Sequence, residues 1–291
     1  MTEAQKGHVA MLSFSMFVAV SFILGGKVAP LIDPMALNAT RFAIAAAIMG
    51  SIAVYQGNMR RENFTAPWRY LLLGGLFCTY FVLMFVALKT ASPVSTSAVF
   101  TLTPIMTAGF GWLLMRQVMT SRMALALAIA GAGAVWVIFG ADWQALLNFR
   151  VGEGEVIFFF GCIAHAIYTP MVPKMNRGEP VVVFTFGVLF AAMITLGIVG
   201  FDALRTTDWA NLPTIVWVTI FYLAIFASSL TFFLIQFAAM RLPSAKVMAY
   251  TYLVPVWVIV IQGAMGSGWP PVALLAGVSM VLVGLFMLLK D

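Results

Sequence analysis

Two stretches of this chain read as versions of one another: Ala98-Val-Phe-Thr-Leu-Thr-Pro104 and Ala249-Tyr-Thr-Tyr-Leu-Val-Pro255. Each opens on alanine, keeps leucine two residues before its proline, and lies in a long apolar run that follows a basic residue, Lys89 or Arg241. Shifting the chain by 147 to 152 residues also lays Gly7 on Gly154 and Lys27 on Lys174. Ala130-Gly131-Ala132-Gly133 in the fifth span likewise resembles Ala276-Gly277-Val278-Ser279 in the tenth. A chance likeness of two apolar runs would not repeat both proline placement and loop order. The sequence is therefore a duplication, with halves 1–148 and 149–291.

What is duplicated is membrane-spanning. Of 291 residues, 63% are hydrophobic and 9% charged, too few polar groups to cover a water-soluble domain. At about 1.5 Å per residue, a helix needs roughly 20 apolar residues to cross the hydrocarbon. Spans of that kind fall at 8–26, 34–55, 68–88, 93–115 and 123–141, then at 154–173, 180–201, 213–240, 244–265 and 271–289. The run 213–240 is long enough to tilt or project. The connections are short, so no soluble catalytic domain separates the spans. No cleavable leader is visible before the first span, which is expected to remain a helix. Cys78 and Cys162 lie within apolar runs and read as buried residues, not a disulfide framework.

The net charge of +6 comes from single basic residues between apolar runs, a loop pattern and not a nucleic-acid face. With the N-terminus cytoplasmic, Lys6, Arg60, Arg61, Arg69, Arg116, Arg122, Lys174, Arg177, Arg241, Lys246 and Lys290 fall inside. Lys27, Lys89, Arg150 and Arg205 fall outside, a clear positive-inside bias. Ten spans return the C-terminus to the cytoplasm. Trp68, Trp143, Trp209 and Trp269 stand at span ends, where an aromatic belt would place them. Five spans per half is an odd number, so the halves cross the membrane in opposite directions. That architecture lets one half rock against the other about a midplane site. The fold expected is all-α: ten transmembrane helices in two inverted five-helix repeats around a central cavity.

Ten short-looped spans in two repeats, each with Ala-x(5)-Pro after a basic loop, resemble the drug/metabolite transporter superfamily, in particular its EamA-type members. The resemblance covers nearly the whole chain. Within that group the sequence looks most like bacterial inner-membrane aromatic amino acid exporters of the YddG type, although no short motif fixes the cargo. The resemblance implies a cavity lined by spans one, three, four, six, eight and nine, and an arginine is common in the family at the position of Arg41.

Polar residues inside spans are the natural site candidates, because hydrocarbon offers them no partner. Arg41 lies about two turns from Pro34, near enough to snorkel outward or pair with Asp33, which suggests a structural or gating role. His165 is deep in the sixth span with Tyr168 on the same face, either a solute or proton site or a satisfied core histidine. No second ligand is spaced to make a metal site with it. Pro104 and Pro255 remove donors and free the carbonyls of Phe100 and Thr251. Those carbonyls, with Ser97, Thr101, Thr103, Tyr250 and Tyr252, could hold an ammonium group, or the hydroxyls could simply bond their own helices. Tyr80, Ser228 and Gln236 complete the substrate-binding candidates, with Gln236 also able to bridge helices. Gly131, Gly133, Gly277 and Gly284 read as close-packing positions.

No Asp or Glu lies deep in a span: Asp33, Glu153, Glu155 and Asp202 are all at ends. Ion-coupled carriers generally use a buried carboxylate, so the carrier is expected to be uncoupled, or coupled only through His165. Its expected function is facilitative export of an aromatic or other apolar amino acid, or a similar small metabolite, by alternating access. A multidrug or cation exporter of the same superfamily is the alternative. An intramembrane enzyme would need convergent catalytic groups, and only His165 offers itself. The expected partners are a small solute and the bilayer, with no cofactor, no metal and no nucleic acid. A monomer is the expected state, with an oligomer left open.

Overall fold

Polar and proline residues start the helices where the apolar runs begin. The N–H groups of Met35 and Ala36 donate to the Asp33 carboxylate at 2.7 and 3.4 Å, and Pro34 opens the helix with the donor it lacks. Ser92 and Thr120 cap two further helices in the same way. The computed structural model describes residues 1–148, 151–266 and 268–289. Ten helices there are long and apolar enough to cross a membrane: α1 (Glu3–Val28), α2 (Pro34–Tyr55), α3 (Trp68–Ala87), α4 (Pro93–Met115), α5 (Ser121–Ile138), α6 (Glu153–Met175), α7 (Val181–Val199), α8 (Thr214–Ala239), α9 (Ser244–Ala264) and α10 (Val272–Leu289). No strand occurs among the described residues. The charges assigned to Arg150 and Lys290, and the division between residues 148 and 149, fall at or beyond the limits of the described residues.

Helix ends differ from the apolar count where polar turns extend a helix past the lipid-soluble run. α1 begins at Glu3, not residue 8, because Thr2 and Gln5 form a reciprocal capping box. α6 continues through Pro170 and Pro173 to Met175. The long run 213–240 is one helix carrying a wide turn over Ile225–Leu230, in which the Ser229 hydroxyl donates to the Ala224 carbonyl at 2.8 Å.

The packing repeats itself between the two halves. α5 lies on α10, α2 on α7, and α4 crosses α9, each against its own counterpart. α3 packs on α6 as α8 packs on α1, and α4 on α6 as α9 on α1. Glycines mark this register. A Cβ on Gly7 would meet Leu242 after α8, and one on Gly154 would meet the Ala87 carbonyl at the end of α3. Gly133 and Gly277 face each other across α5 and α10, where an added Cβ would fall 2.5 Å from the Gly277 oxygen or 2.8 Å from the Gly133 oxygen. Small residues are thus what allow this pair to touch.

Both halves break at the repeated proline. In α4 the N–H groups of Thr101 and Leu102 bond the carbonyls of Ala98 and Val99, three residues back, each at 3.0 Å. The helix restarts at Thr103 with Pro104 in its first turn. In α9 the tight segment is Tyr250–Leu253, with Pro255 in the first turn after it. The two broken helices cross so that the first piece of each meets the second piece of the other.

One end is tied by a buried ion pair. Arg69 Nη2 donates to Glu179 Oε1 at 2.6 Å, and Arg69 Nη1 to the Met175 carbonyl. The Arg177 N–H donates to Glu179 Oε2 at 2.6 Å, so α3 is fastened to the α6–α7 connection. Burial works against ionisation of Glu179, but the Arg69 and backbone bonds outweigh it and hold the carboxyl below its ordinary value of 4.5. A depressed carboxyl contributes stability above its unfolded value and loses it as pH falls through the folded one. Glu179→Gln should therefore cost about 3 kcal/mol at neutral pH by stranding Arg69. Melting in detergent across pH 7 to 3 (roughly the range in which carboxylates titrate) should show the difference between wild type and variant shrinking below pH ~4.5. Gly133→Val should lower the melting point by crowding α10, at about 1–3 kcal/mol, whereas Gly109→Ala, with open space around it, should not.

Candidate functional site

At the centre of the bundle α1, α3, α6 and α8 converge on a void of about 10 Å³, room for about one water. Its walls are largely aromatic: Phe14, Phe77, Tyr80, Phe81 and Phe232, with Ser21, His165 and Thr231 among the polar ones. The His165 ring is edge-on to Tyr80 at 4.6 Å and to Phe100 of α4 at 5.3 Å. Its Nδ1 is buried without a hydrogen-bond partner. Phe77 packs on Tyr168 at 3.9 Å and on Phe232 at 4.0 Å, and Phe81 stacks near-parallel to Phe232. The cavity in this conformation is closed by its own rings.

The walls obey the repeat. The 151-residue offset that lays Pro104 on Pro255 also lays Phe81 on Phe232 and Tyr80 on Thr231, so α3 and α8 present equivalent positions. The 147-residue offset of Gly7 and Gly154 lays Val18 on His165, both walls of the void. At that pair the symmetry is broken, an apolar residue facing an imidazole.

Of the substrate-binding candidates, His165 and Tyr80 line this void. Tyr168 stands one layer behind, its hydroxyl receiving a bond from Gln236 Nε2 at 2.9 Å, while Gln236 Oε1 accepts from Thr185 at 2.7 Å. Gln236 therefore bridges α6, α7 and α8. The α4 hydroxyls bond their own helix: Ser97 to the Val94 carbonyl at 2.8 Å, Thr101 to Ala98 at 2.6 Å, and Thr103 to Phe100 at 2.6 Å. The last of these occupies the carbonyl that Pro104 frees. In α9, Tyr250 lies with its hydroxyl 3.0 Å from His8 Nδ1. Tyr252 packs away from the void, among Ala126, Leu127, Ala130 and Val281 of α5 and α10.

Arg41 neither snorkels nor pairs with Asp33. It has no exposed surface, and the Asp33 carboxylate is engaged in capping α2. Arg41 Nε donates to Ser228 Oγ at 3.0 Å and Nη2 to the Ala227 carbonyl at 3.3 Å, both in the wide turn of α8. Its guanidinium carbon stands 3.9 Å from the centre of the Phe81 ring.

The phenylalanines that build the void were not singled out by sequence, because a wall ring and a lipid-facing ring look alike in composition. The signal that would have found two of them is the repeat offset, which pairs Phe81 with Phe232. Nothing local marks Ser21.

Comparison with known proteins matches this architecture. The EamA-like transporter family matches residues 5–139 and again residues 152–290. A Bacillus subtilis (strain 168) protein described as the uncharacterized transporter YyaM is 26% identical over 264 residues, covering 89% of this chain and 86% of that one. A protein of solved structure, described only as a crystal structure of a protein, superposes over 98% of this chain and 95% of its own with a TM-score of 0.74. At 20% identity that likeness is one of fold. The chain belongs to the EamA-like transporter family and is a multi-pass membrane transporter of small molecules.

Proposed function

We propose that this transporter moves aromatic and other apolar amino acids, or similar small metabolites, outward across the bacterial inner membrane by alternating access and without ion coupling. The aromatic void at His165 carries the reading. Phe77, Tyr80, Phe81 and Phe232 offer faces and edges to a flat apolar side chain, and the buried imidazole Nδ1 needs a hydrogen-bond partner. Small-molecule pockets run roughly 300 to 1,000 Å³, so a solute enters only when the walls of this void part. Rocking of halves 1–148 and 149–291, hinged where α4 and α9 break, is the motion proposed to part them. The excess of basic residues on one set of loops supports cytoplasmic termini.

Lack of coupling rests on the acidic residues. Among the described residues, Glu3, Glu153 and Glu155 lie in the first turns of spanning helices, and Glu179 is in the α6–α7 connection, bound to Arg69. None stands at the void. The competing reading is a cation or multidrug exporter, for which electron-rich rings are also suitable.

Counterflow in proteoliposomes with labelled Trp, Phe and Thr and a cationic dye, with and without a pH gradient, separates the two. The amino acid reading expects uptake of Trp and Phe ahead of Thr, unchanged by the gradient, and reduced severalfold in His165→Gln. Uptake of the dye alone, or strict dependence on the gradient, would sink it.

A further inference from the structure

Arg41 is a fully buried cation with no acid opposite it. The ion pairs among the described residues are made by Glu3, in the first turn of α1, and by Glu179, in the α6–α7 connection. What surrounds the guanidinium is neutral: the Ser228 hydroxyl, the Ala227 carbonyl, and the rings of Phe81 and Phe42 at 3.9 and 5.0 Å. Such groups reduce the cost of burying a cation but do not neutralise it. Nη1 has no partner at all. Buried arginines that serve structure are ordinarily paired. This one keeps part of its donor fork unfilled.

The groups that cover Arg41 are also the groups that close the void. Phe81 and Ala227 are walls of it, and Ala227 and Ser228 belong to the wide turn Ile225–Leu230. Turns of that type are weak points of a helix, common at functional sites. A solute far larger than about 10 Å³ must displace some of these walls, and displacement of Phe81 or of this turn is what uncovers the guanidinium to it. α7 offers no equivalent, since the offsets that relate the halves set Val188 or Ala192 against Arg41.

We propose that Arg41 receives the carboxylate of the transported solute, replacing its bonds to Ser228 and Ala227, while the aromatic void receives the apolar side chain. A planar guanidinium fork matches a carboxylate with two parallel bonds. The substrate class is thereby an apolar carboxylic acid, amino acids included, and an amine lacking the carboxylate is repelled. The inference deepens the amino acid reading and rests on it for the identity of the site.

The test is counterflow, with the full chain in proteoliposomes, of labelled phenylalanine, phenylacetate (carboxylate, no ammonium) and phenethylamine (ammonium, no carboxylate). The two carboxylates should be carried at least about 10-fold better than the amine, as loss of a charged hydrogen-bonding pair implies. Arg41→Gln should abolish that preference. If Arg41→Gln does not fold, Arg41→Lys is read instead, and should weaken the carboxylates severalfold without affecting the amine. Equal carriage of the amine by the unsubstituted protein, carriage of none of the three, or an undiminished preference in the Arg41 variant overturns the assignment. Phenylacetate carried and phenylalanine refused would leave Arg41 its role and remove the amino acid reading. Phenylalanine carried with the preference surviving Arg41→Gln would do the reverse.

Discussion

Hydrocarbon supplies no hydrogen-bond partner, so each departure from regular helix within this bundle must be satisfied by the protein itself. The structure is organised by that demand. Pro104 frees the Phe100 carbonyl, and the neighbouring Thr103 hydroxyl takes it. The wide turn of α8 leaves the Ala224 carbonyl to Ser229 and the Ala227 carbonyl to Arg41. Tyr168, Gln236 and Thr185 satisfy one another in a chain across three helices. Of the buried polar atoms left without a partner, His165 Nδ1 belongs to a wall of the central void and Arg41 Nη1 lies behind its Phe81 wall.

Symmetry builds the container and its breaking equips it. The repeat-equivalent glycines Gly7 and Gly154 set two equivalent helix contacts, and repeat-equivalent residues of α3 and α8 make facing walls. The same offsets put Val18 against His165 and apolar positions of α7 against Arg41. Without these two mismatches the void would be lined by rings, aliphatic groups and the hydroxyls of Ser21, Tyr80 and Thr231. The imidazole at the void and the guanidinium behind its Phe81 wall are the groups the repeat does not match.

Much of the fold was legible because the repeated prolines and the count of apolar runs are one-dimensional signals. Pro104 and Pro255 announced both breaks, and Gly133 and Gly277 the close approach of α5 and α10. The wide turn at Ile225–Leu230 was not legible, having neither glycine nor proline to mark it. Arg41 illustrates the limit for the site. Asp33 is its near neighbour in sequence, yet its partner Ser228 lies 187 residues away. Likewise the hydroxyls of α4 are of the type a binding site uses, but proline-freed and tightened turns consume them locally. The aromatic walls are drawn from 25 phenylalanines of similar context, and only tertiary packing sorts those facing inward from those facing lipid.

The central claim is that, among the described residues, the central void and its surroundings hold a buried cation and rings but no acid to carry an ion, so the solute moves alone as a zwitterion. Its most direct test is the equilibrium distribution of labelled phenylalanine across proteoliposomes held at imposed membrane potentials of either sign, with equal pH on both sides. A neutral solute moving alone reaches the same concentration inside and outside at every potential. Accumulation that follows the sign of the potential would show net charge moving with the solute and contradict the account.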